Sequence, residues 1–191
     1  MLIEDVFGSK PVTDSQTFHV LRSSCSQFIK ESAGCPLYRN LPTSYNSVHK
    51  VKVRAKKRPT VVGEAMNRAF EDSYTNLTQR AIFASSVQYI SENTDIEPFY
   101  IFPINGFKFL YSKEVSESTS NYQRVMEVLL EQLQDEQAAN DIVADLLKFT
   151  YTSRNLDEGI NSGSEIIMYG IPYYYAVRCS AYPDYTRIVT D

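Results

Sequence analysis

The stretch EIIMYGIPYYYAVR, residues 165–178, decides how the rest of the chain is interpreted. Apolar and aromatic residues of high strand propensity fill both of its halves. Gly170 and Pro172 interrupt the run with residues that are typical of turns. The stretch therefore predicts a strand over Glu165–Tyr169, a turn over Gly170–Pro172, and a return strand over Tyr173–Arg178.

The segments before and after this stretch predict further helices and strands. Helical spacing of apolar residues covers three regions, with a break near Asn140 in the last of them: 14–31, 62–78 and 120–149. Shorter patterns predict strands at 35–40, 48–54 and 81–85, a helical turn or short helix through Val87 and Ile90, two strands around Asn105-Gly106, and a last strand in 183–191. Pro103 places the first strand of the Asn105-Gly106 pair at a sheet edge.

These elements follow one another without a regular βαβ rhythm, which favours an α+β fold over a doubly wound α/β fold. The length of 191 residues fits a single domain, residues 1–191. Within it we expect an N-terminal helical region, residues 1–34, and a mixed core, residues 35–191. A hydrophobic share of 43% is enough for a sizeable core.

Composition also limits the class of protein. The net charge of -4 does not favour binding of nucleic acid by the chain as a whole. The three cysteines form no C-x-x-C pair, which argues against a disulfide framework and a zinc site. No apolar run approaches the roughly 18 residues of a membrane span, and the N-terminus lacks the pattern of a signal peptide. We therefore expect a soluble cytoplasmic protein without a metal.

Three short segments stand out together: Leu37-Tyr38-Arg39, Phe83-Ala84-Ser85-Ser86 and Ser164-Glu165-Ile166-Ile167. Their order and flanking residues resemble the Arg, Ser-Thr-Ser and Glu motifs of the mono-ADP-ribosyltransferase family. The resemblance extends over roughly residues 35–178. It implies a split β-sheet around an NAD cleft, with flanking helices, and transfer of ADP-ribose from NAD to a macromolecule.

The resemblance also implies a role for individual residues. Glu165 would be catalytic, because its carboxylate can stabilise the positive charge that develops on the ribose when nicotinamide leaves. Arg39 would grip the NAD phosphates or ribose through its fork of donors, and Ser85 or Ser86 would bind the ribose or orient Glu165. An aromatic ring would stack on nicotinamide, and three candidates are available: Phe83, Tyr89 and Tyr100.

The sequence departs from the family pattern in three places. Asn40 replaces the Gly that follows the motif Arg, and the middle motif reads Ser-Ser-Val. Gly163 lies two positions before Glu165, where many members carry a Glu or Gln that orients the acceptor side chain. The ordinary roles of the candidate residues stay open beside the catalytic ones: an ion pair for Arg39, turn or cap residues for Ser85 and Ser86, and a solvent-facing carboxylate for Glu165.

A basic stripe follows the first motif and leaves alternatives open. Six basic residues lie within nine positions of the acidic chain: Lys50, Lys52, Arg54, Lys56, Lys57 and Arg58. Such a stripe can meet the phosphates of NAD or a nucleic acid, or an acidic partner protein, or protect an edge strand against aggregation. A non-catalytic binding protein and an NAD glycohydrolase are therefore alternatives to the transferase.

Two segments, KVRAKKRP and IFPINGFKFLYS, also resemble segments of small bacteriophage proteins. This second resemblance implies a phage factor that modifies or binds a component of the host cytoplasm.

Overall fold

The structure, a computed structural model, describes residues 14–53, 61–70, 81–114 and 118–190. Helices and an antiparallel sheet alternate irregularly along these residues, which confirms the predicted α+β class. The elements, in chain order, are α1 (Asp14–Ser24), α2 (Ser26–Glu31), β1 (Tyr38–Pro42), β2 (Val48–Lys52), α3 (Val61–Ala69), β3 (Ile82–Ser85), β4 (Ile96–Pro103), β5 (Lys108–Leu110), α4 (Ser118–Leu133), α5 (Glu136–Thr150), α6 (Leu156–Asn161), β6 (Glu165–Tyr169), β7 (Tyr173–Arg178) and α7 (Thr186–Val189).

The seven strands form one sheet in the order β2-β7-β4-β1-β3-β6-β5, and every neighbouring pair is antiparallel. Five residue pairs join β1 to β4, but a single pair, Tyr38 opposite Ser85, joins β1 to β3. The sheet therefore consists of a four-stranded and a three-stranded part that meet at this one pair.

Two apolar clusters hold the two parts. In the larger cluster, helices α1, α2 and α7 pack against the four-stranded part, with Phe28 and Ile188 fully buried. In the smaller cluster, helices α3, α4 and α5 pack against β5 and β6, with Leu147 and Ile167 fully buried. Side chains that alternate along β6 enter both clusters, since Ile166 belongs to the first and Ile167 to the second. The strand that begins at Glu165 is therefore fixed from both faces.

Two pairs of successive strands that the sequence predicts as hairpins are not neighbours in the sheet. The strands around Asn105-Gly106 separate, because β4 pairs with β1 and β7 while β5 pairs with β6. The strands on either side of Gly170 separate in the same way, since β6 pairs with β3 and β5. The expectation that Pro103 marks an edge strand is wrong: β4 lies inside the sheet, and Pro103 is its last residue, where a missing N–H is tolerated.

The helices also differ from the prediction in their boundaries. The long helical region breaks at Gln134, which has φ +50, and Asp135 caps the next helix by accepting hydrogen bonds from the N–H groups of Gln137 and Ala138. Asn140, the predicted break, lies buried inside α5 and donates its side-chain amide to the Glu136 carbonyl at 3.0 Å.

The chain end and the segment after β3 do not adopt the predicted structure. Residues 186–189 form the short helix α7 instead of a strand, because the Asp184 carboxylate accepts hydrogen bonds from the Thr186 N–H and hydroxyl and so starts a helical turn. The predicted helical turn through Val87 and Ile90 is an irregular loop. Among the described helices, none combines the length and apolar character that crossing a bilayer requires.

Candidate functional site

Strands β1, β3 and β6 place the three sequence motifs side by side. Ser85, the last residue of β3, lies opposite Tyr38 of β1 on one side and Glu165 of β6 on the other. Side chains directly opposite each other in an antiparallel pair share a face, with Cβ atoms about 4.5–5.5 Å apart. Arg39 follows Tyr38 and pairs with Phe99 of β4, so the register brings its backbone, but not the direction of its side chain, to the same end of the junction as Ser85 and Glu165.

A cleft of about 360 Å³ opens at this junction. Its volume lies in the range of small-molecule binding sites, roughly 300–1,000 Å³. Of the residues that line it, Arg39 and Glu165 carry charges of opposite sign, and the others are aromatic, apolar or uncharged polar side chains. The full lining is Tyr38, Arg39, Asn40, Phe83, Ala84, Ser85, Val87, Tyr89 and Glu165.

Within the part of the chain that the structure describes, Arg39 forms no ion pair of the kind that a strand Arg often has. Its side chain is half-buried, and no carboxylate in the described ranges lies within ion-pair distance of it. Burial raises the pKa of the neighbouring Tyr174, and the positive charge of Arg39 opposes that rise. The guanidinium is therefore available in the cleft as a binding group for an anion.

Ser85 and Ser86 have different environments. The Ser85 hydroxyl oxygen accepts a hydrogen bond from the Val87 N–H at 3.0 Å and lines the cleft. The Ser86 hydroxyl is buried, is not part of the cleft lining, and has no hydrogen-bond partner among the residues that the structure describes. Of the two predicted binding serines, only Ser85 lies in the cleft.

The aromatic candidates divide in the same way. Phe83 and Tyr89 line the cleft, and Tyr89 is 68% exposed. Tyr100 instead lies in the core, where its hydroxyl donates to the Pro183 carbonyl at 3.2 Å and burial, foremost, raises its pKa to about 12. Tyr38 also lines the cleft and was not predicted to do so, although it precedes Arg39 in the chain.

The turn that precedes Glu165 fixes where β6 begins. The Ser162 hydroxyl donates to the Gly159 carbonyl at 2.7 Å and lies 2.8 Å from the Ser164 hydroxyl. Gly163 between them has φ +77, and a Cβ added there would meet no atom within 4 Å. The turn therefore leaves open space at position 163, directly before Ser164 and the start of β6.

The basic stripe starts on strand β2, which is an edge strand of the described sheet. Lys50 and Lys52 lie opposite Tyr175 and Tyr173 of β7, and the Lys50 ammonium is 3.8 Å from the centroid of the Tyr173 ring. In sheet order, β7 and β4 separate β2 from β1, so these lysines are not in the cleft lining. The other four stripe residues lie outside the described residues: Arg54, Lys56, Lys57 and Arg58.

Comparison with known proteins does not identify a family for this fold and cleft. The chain matches no family model, no curated protein and no solved structure. Within the described ranges, no group of three or more His, Cys, Asp or Glu side chains could hold a metal ion. The residues of the cleft are therefore the basis for assigning a function.

Proposed function

We propose that this chain is an ADP-ribosyltransferase that binds NAD in the cleft between β1, β3 and β6 and transfers ADP-ribose to a macromolecular acceptor. The observation that carries the proposal is the strand register, in which Ser85 lies opposite both Tyr38 and Glu165. Three segments that are far apart in sequence, each bearing one of the required side chains, converge there on one cleft. The cleft also contains a cation, a carboxylate and exposed aromatic surface.

Each of these features suits one part of NAD. The Arg39 guanidinium is matched to the pyrophosphate, which it can hold through paired hydrogen bonds. The rings of Phe83 and Tyr89 are matched to the flat nicotinamide. The cleft volume of about 360 Å³ is near the lower end of the range for small-molecule sites, so we expect it to hold the nicotinamide ribose while the adenosine part extends outward.

In the proposed reaction the bond between C1′ of the ribose and the nicotinamide nitrogen breaks, and its electron pair leaves with neutral nicotinamide. The positive charge that develops on the ribose is stabilised by Glu165, which also accepts a hydrogen bond from a ribose hydroxyl. A nucleophilic atom of the acceptor then forms the new bond to C1′ and loses its proton to water or to Glu165. No metal or redox partner is required for this balance.

Arg39→Ala is expected to weaken NAD binding by about 10- to 100-fold, because a charge-assisted hydrogen-bond partner contributes about 1.5–3 kcal/mol. Arg39→Lys keeps the charge but loses the planar fork, so its affinity should lie between those of the wild type and the alanine variant. Isothermal titration with NAD measures both, with thermal melting as a control for folding. An unchanged affinity in folded Arg39→Ala would remove this residue from the NAD site.

The proposed function is tested directly by incubating the protein with NAD labelled in the adenosine part and with cell lysate. Label on a macromolecule supports the transferase, and free ADP-ribose indicates that water is the acceptor, as in an NAD glycohydrolase. Intact NAD, with no label transferred, contradicts both enzymatic functions and favours a binding protein. Mass spectrometry of a labelled species would identify the acceptor and its modified group.

A further inference from the structure

The loop between β3 and β4, residues 86–95, displays apolar side chains to solvent beside the cleft. Val87, Tyr89 and Ile90 are 61%, 68% and 78% exposed, although all three lie within four successive positions. Val87 and Tyr89 also line the cleft, so the exposed apolar surface is continuous with the candidate site. Clustered apolar exposure of this kind marks surfaces that bind a partner.

Both ends of this loop are anchored to the sheet. At its start the Val87 N–H donates to the Ser85 hydroxyl at 3.0 Å, and near its end the Thr43 N–H donates to the Asp95 carbonyl at 2.9 Å. Between these anchors, no hydrogen bond to another described residue holds Gln88, Tyr89 or Ile90. The two ends of the loop are therefore held in place, while its apolar side chains face solvent and do not pack in the core.

The charges around the loop favour one class of partner. The loop itself, residues 86–95, contains two acidic side chains, Glu92 and Asp95, and no Lys or Arg, while Arg39 lies beside it in the cleft lining. Glu97 is ion-paired with Arg178 at 3.3 Å, whereas Glu92 and Asp95 are exposed at the surface of the loop. A negative field repels the phosphates of a nucleic acid and attracts Lys and Arg side chains.

We propose that loop 86–95 is the docking surface for a protein acceptor that presents apolar side chains flanked by Lys or Arg. Docking there places the acceptor at the mouth of the cleft, where the ribose of bound NAD faces it. The inference rests on the proposed function, since it names the class of acceptor for that reaction. Lys50 and Lys52, the stripe residues that the structure describes, have the opposite charge and lie on the edge strand β2, so these two are not part of this surface.

The docking surface is tested by binding of three fluorescent probes, measured by anisotropy. The probes are a synthetic peptide of leucines and arginines, the matched peptide with glutamates in place of arginines, and a single-stranded oligonucleotide. Two protein variants alter the loop outside the cleft lining: Ile90→Asp, and Glu92→Lys combined with Asp95→Lys. Matched controls place the same changes elsewhere on exposed residues: Phe149→Asp, which replaces a side chain that is 91% exposed, and Glu64→Lys combined with Glu131→Lys.

We expect the leucine-arginine peptide to bind the wild type more tightly than either other probe. Each loop variant should weaken this binding by roughly tenfold or more, the scale of an interface residue of central importance, while the control variants bind like the wild type. Absent peptide binding, or binding that the loop variants leave unchanged, would overturn the proposal. Tighter binding of the oligonucleotide, lost in Ile90→Asp, would assign the surface to nucleic acid instead.

A second measurement separates this inference from the proposed function. Consumption of NAD without peptide should be the same in the wild type and in the loop variants, because Ile90, Glu92 and Asp95 do not line the cleft. If the peptide binds through the loop but the wild type consumes no NAD, the proposed function fails and the docking surface stands. If NAD is consumed but the peptide does not bind, or binds the loop variants as tightly as the wild type, the docking surface fails and the proposed function stands.

Discussion

Glu165→Gln is expected to lower turnover of NAD by about 10²–10³-fold, the scale seen when one preorganised electrostatic partner of a transition state is removed. The substitution keeps the shape of the side chain and most of its hydrogen-bonding capacity, but it removes the negative charge. That charge matters more when the ribose becomes positive than when NAD is bound in its ground state. The affinity for NAD should therefore change much less than the rate.

Rates with saturating NAD and affinities from titration measure the two effects separately. Glu64→Gln is a matched control, because it removes one carboxylate charge from an exposed position on α3, away from the cleft lining. The melting temperature of Glu165→Gln should stay near that of the wild type, since Glu165 is only half-buried at the start of its strand. Intact turnover in folded Glu165→Gln would show that this carboxylate is not catalytic.

Gly159→Ala is expected to destabilise the fold, by about 1–3 kcal/mol for the strain of an added methyl group in a packed core. A Cβ at Gly159 would lie 2.7 Å from two atoms of the Tyr111 ring. The ring cannot easily move away from the added methyl group, because Tyr111 is 1% exposed. Its backbone also forms two hydrogen bonds with that of Thr152, at 3.0 and 2.9 Å. The higher helix propensity of Ala offsets at most about 1 kcal/mol of this destabilisation.

Thermal melting measures the loss, at about 2–4 °C for each kcal/mol in a domain of this size. Tyr111→Leu removes the ring that the added methyl group would meet. The double variant Gly159→Ala, Tyr111→Leu should therefore lose less stability than the sum of the losses in the two single variants. Gly34→Asn is a control in open space, since Gly34 has φ +76, which Asn tolerates, and no atom lies within 4 Å of the added Cβ. A melting temperature of Gly159→Ala equal to that of the wild type would contradict the packing argument.

The candidate site was predictable in part because its residues belong to short local motifs. Five of the residues chosen from sequence line the same cleft, and Ser86 and Tyr100 do not; the five are Arg39, Phe83, Ser85, Tyr89 and Glu165. That shared position supports the choice but leaves their roles in NAD binding and catalysis as proposals. The other residues that line the cleft could not be predicted from sequence, because they depend on how β1 and β3 pair.

Val87 illustrates this limit. Helical spacing assigned it to a short helix, but the Ser85 hydroxyl binds its N–H and starts a loop instead. Tyr100 illustrates the opposite error, because its position on β4 directs it into the core. The outward or inward direction of both side chains is a property of the assembled sheet.

The sequence by itself determined where most strands and helices lie, because alternation and helical spacing of apolar residues act over a few positions. Strands β6 and β7 have the bounds that the sequence predicts, Glu165–Tyr169 and Tyr173–Arg178. Only the tertiary structure decided which strands pair: β6 joins β3 and β5, while β7 joins β2 and β4. Pairing partners far apart in the chain are selected by burial in the two apolar clusters, and no local pattern encodes that choice. The single registered pair between β1 and β3, Tyr38 opposite Ser85, lies at the cleft and depends on that packing.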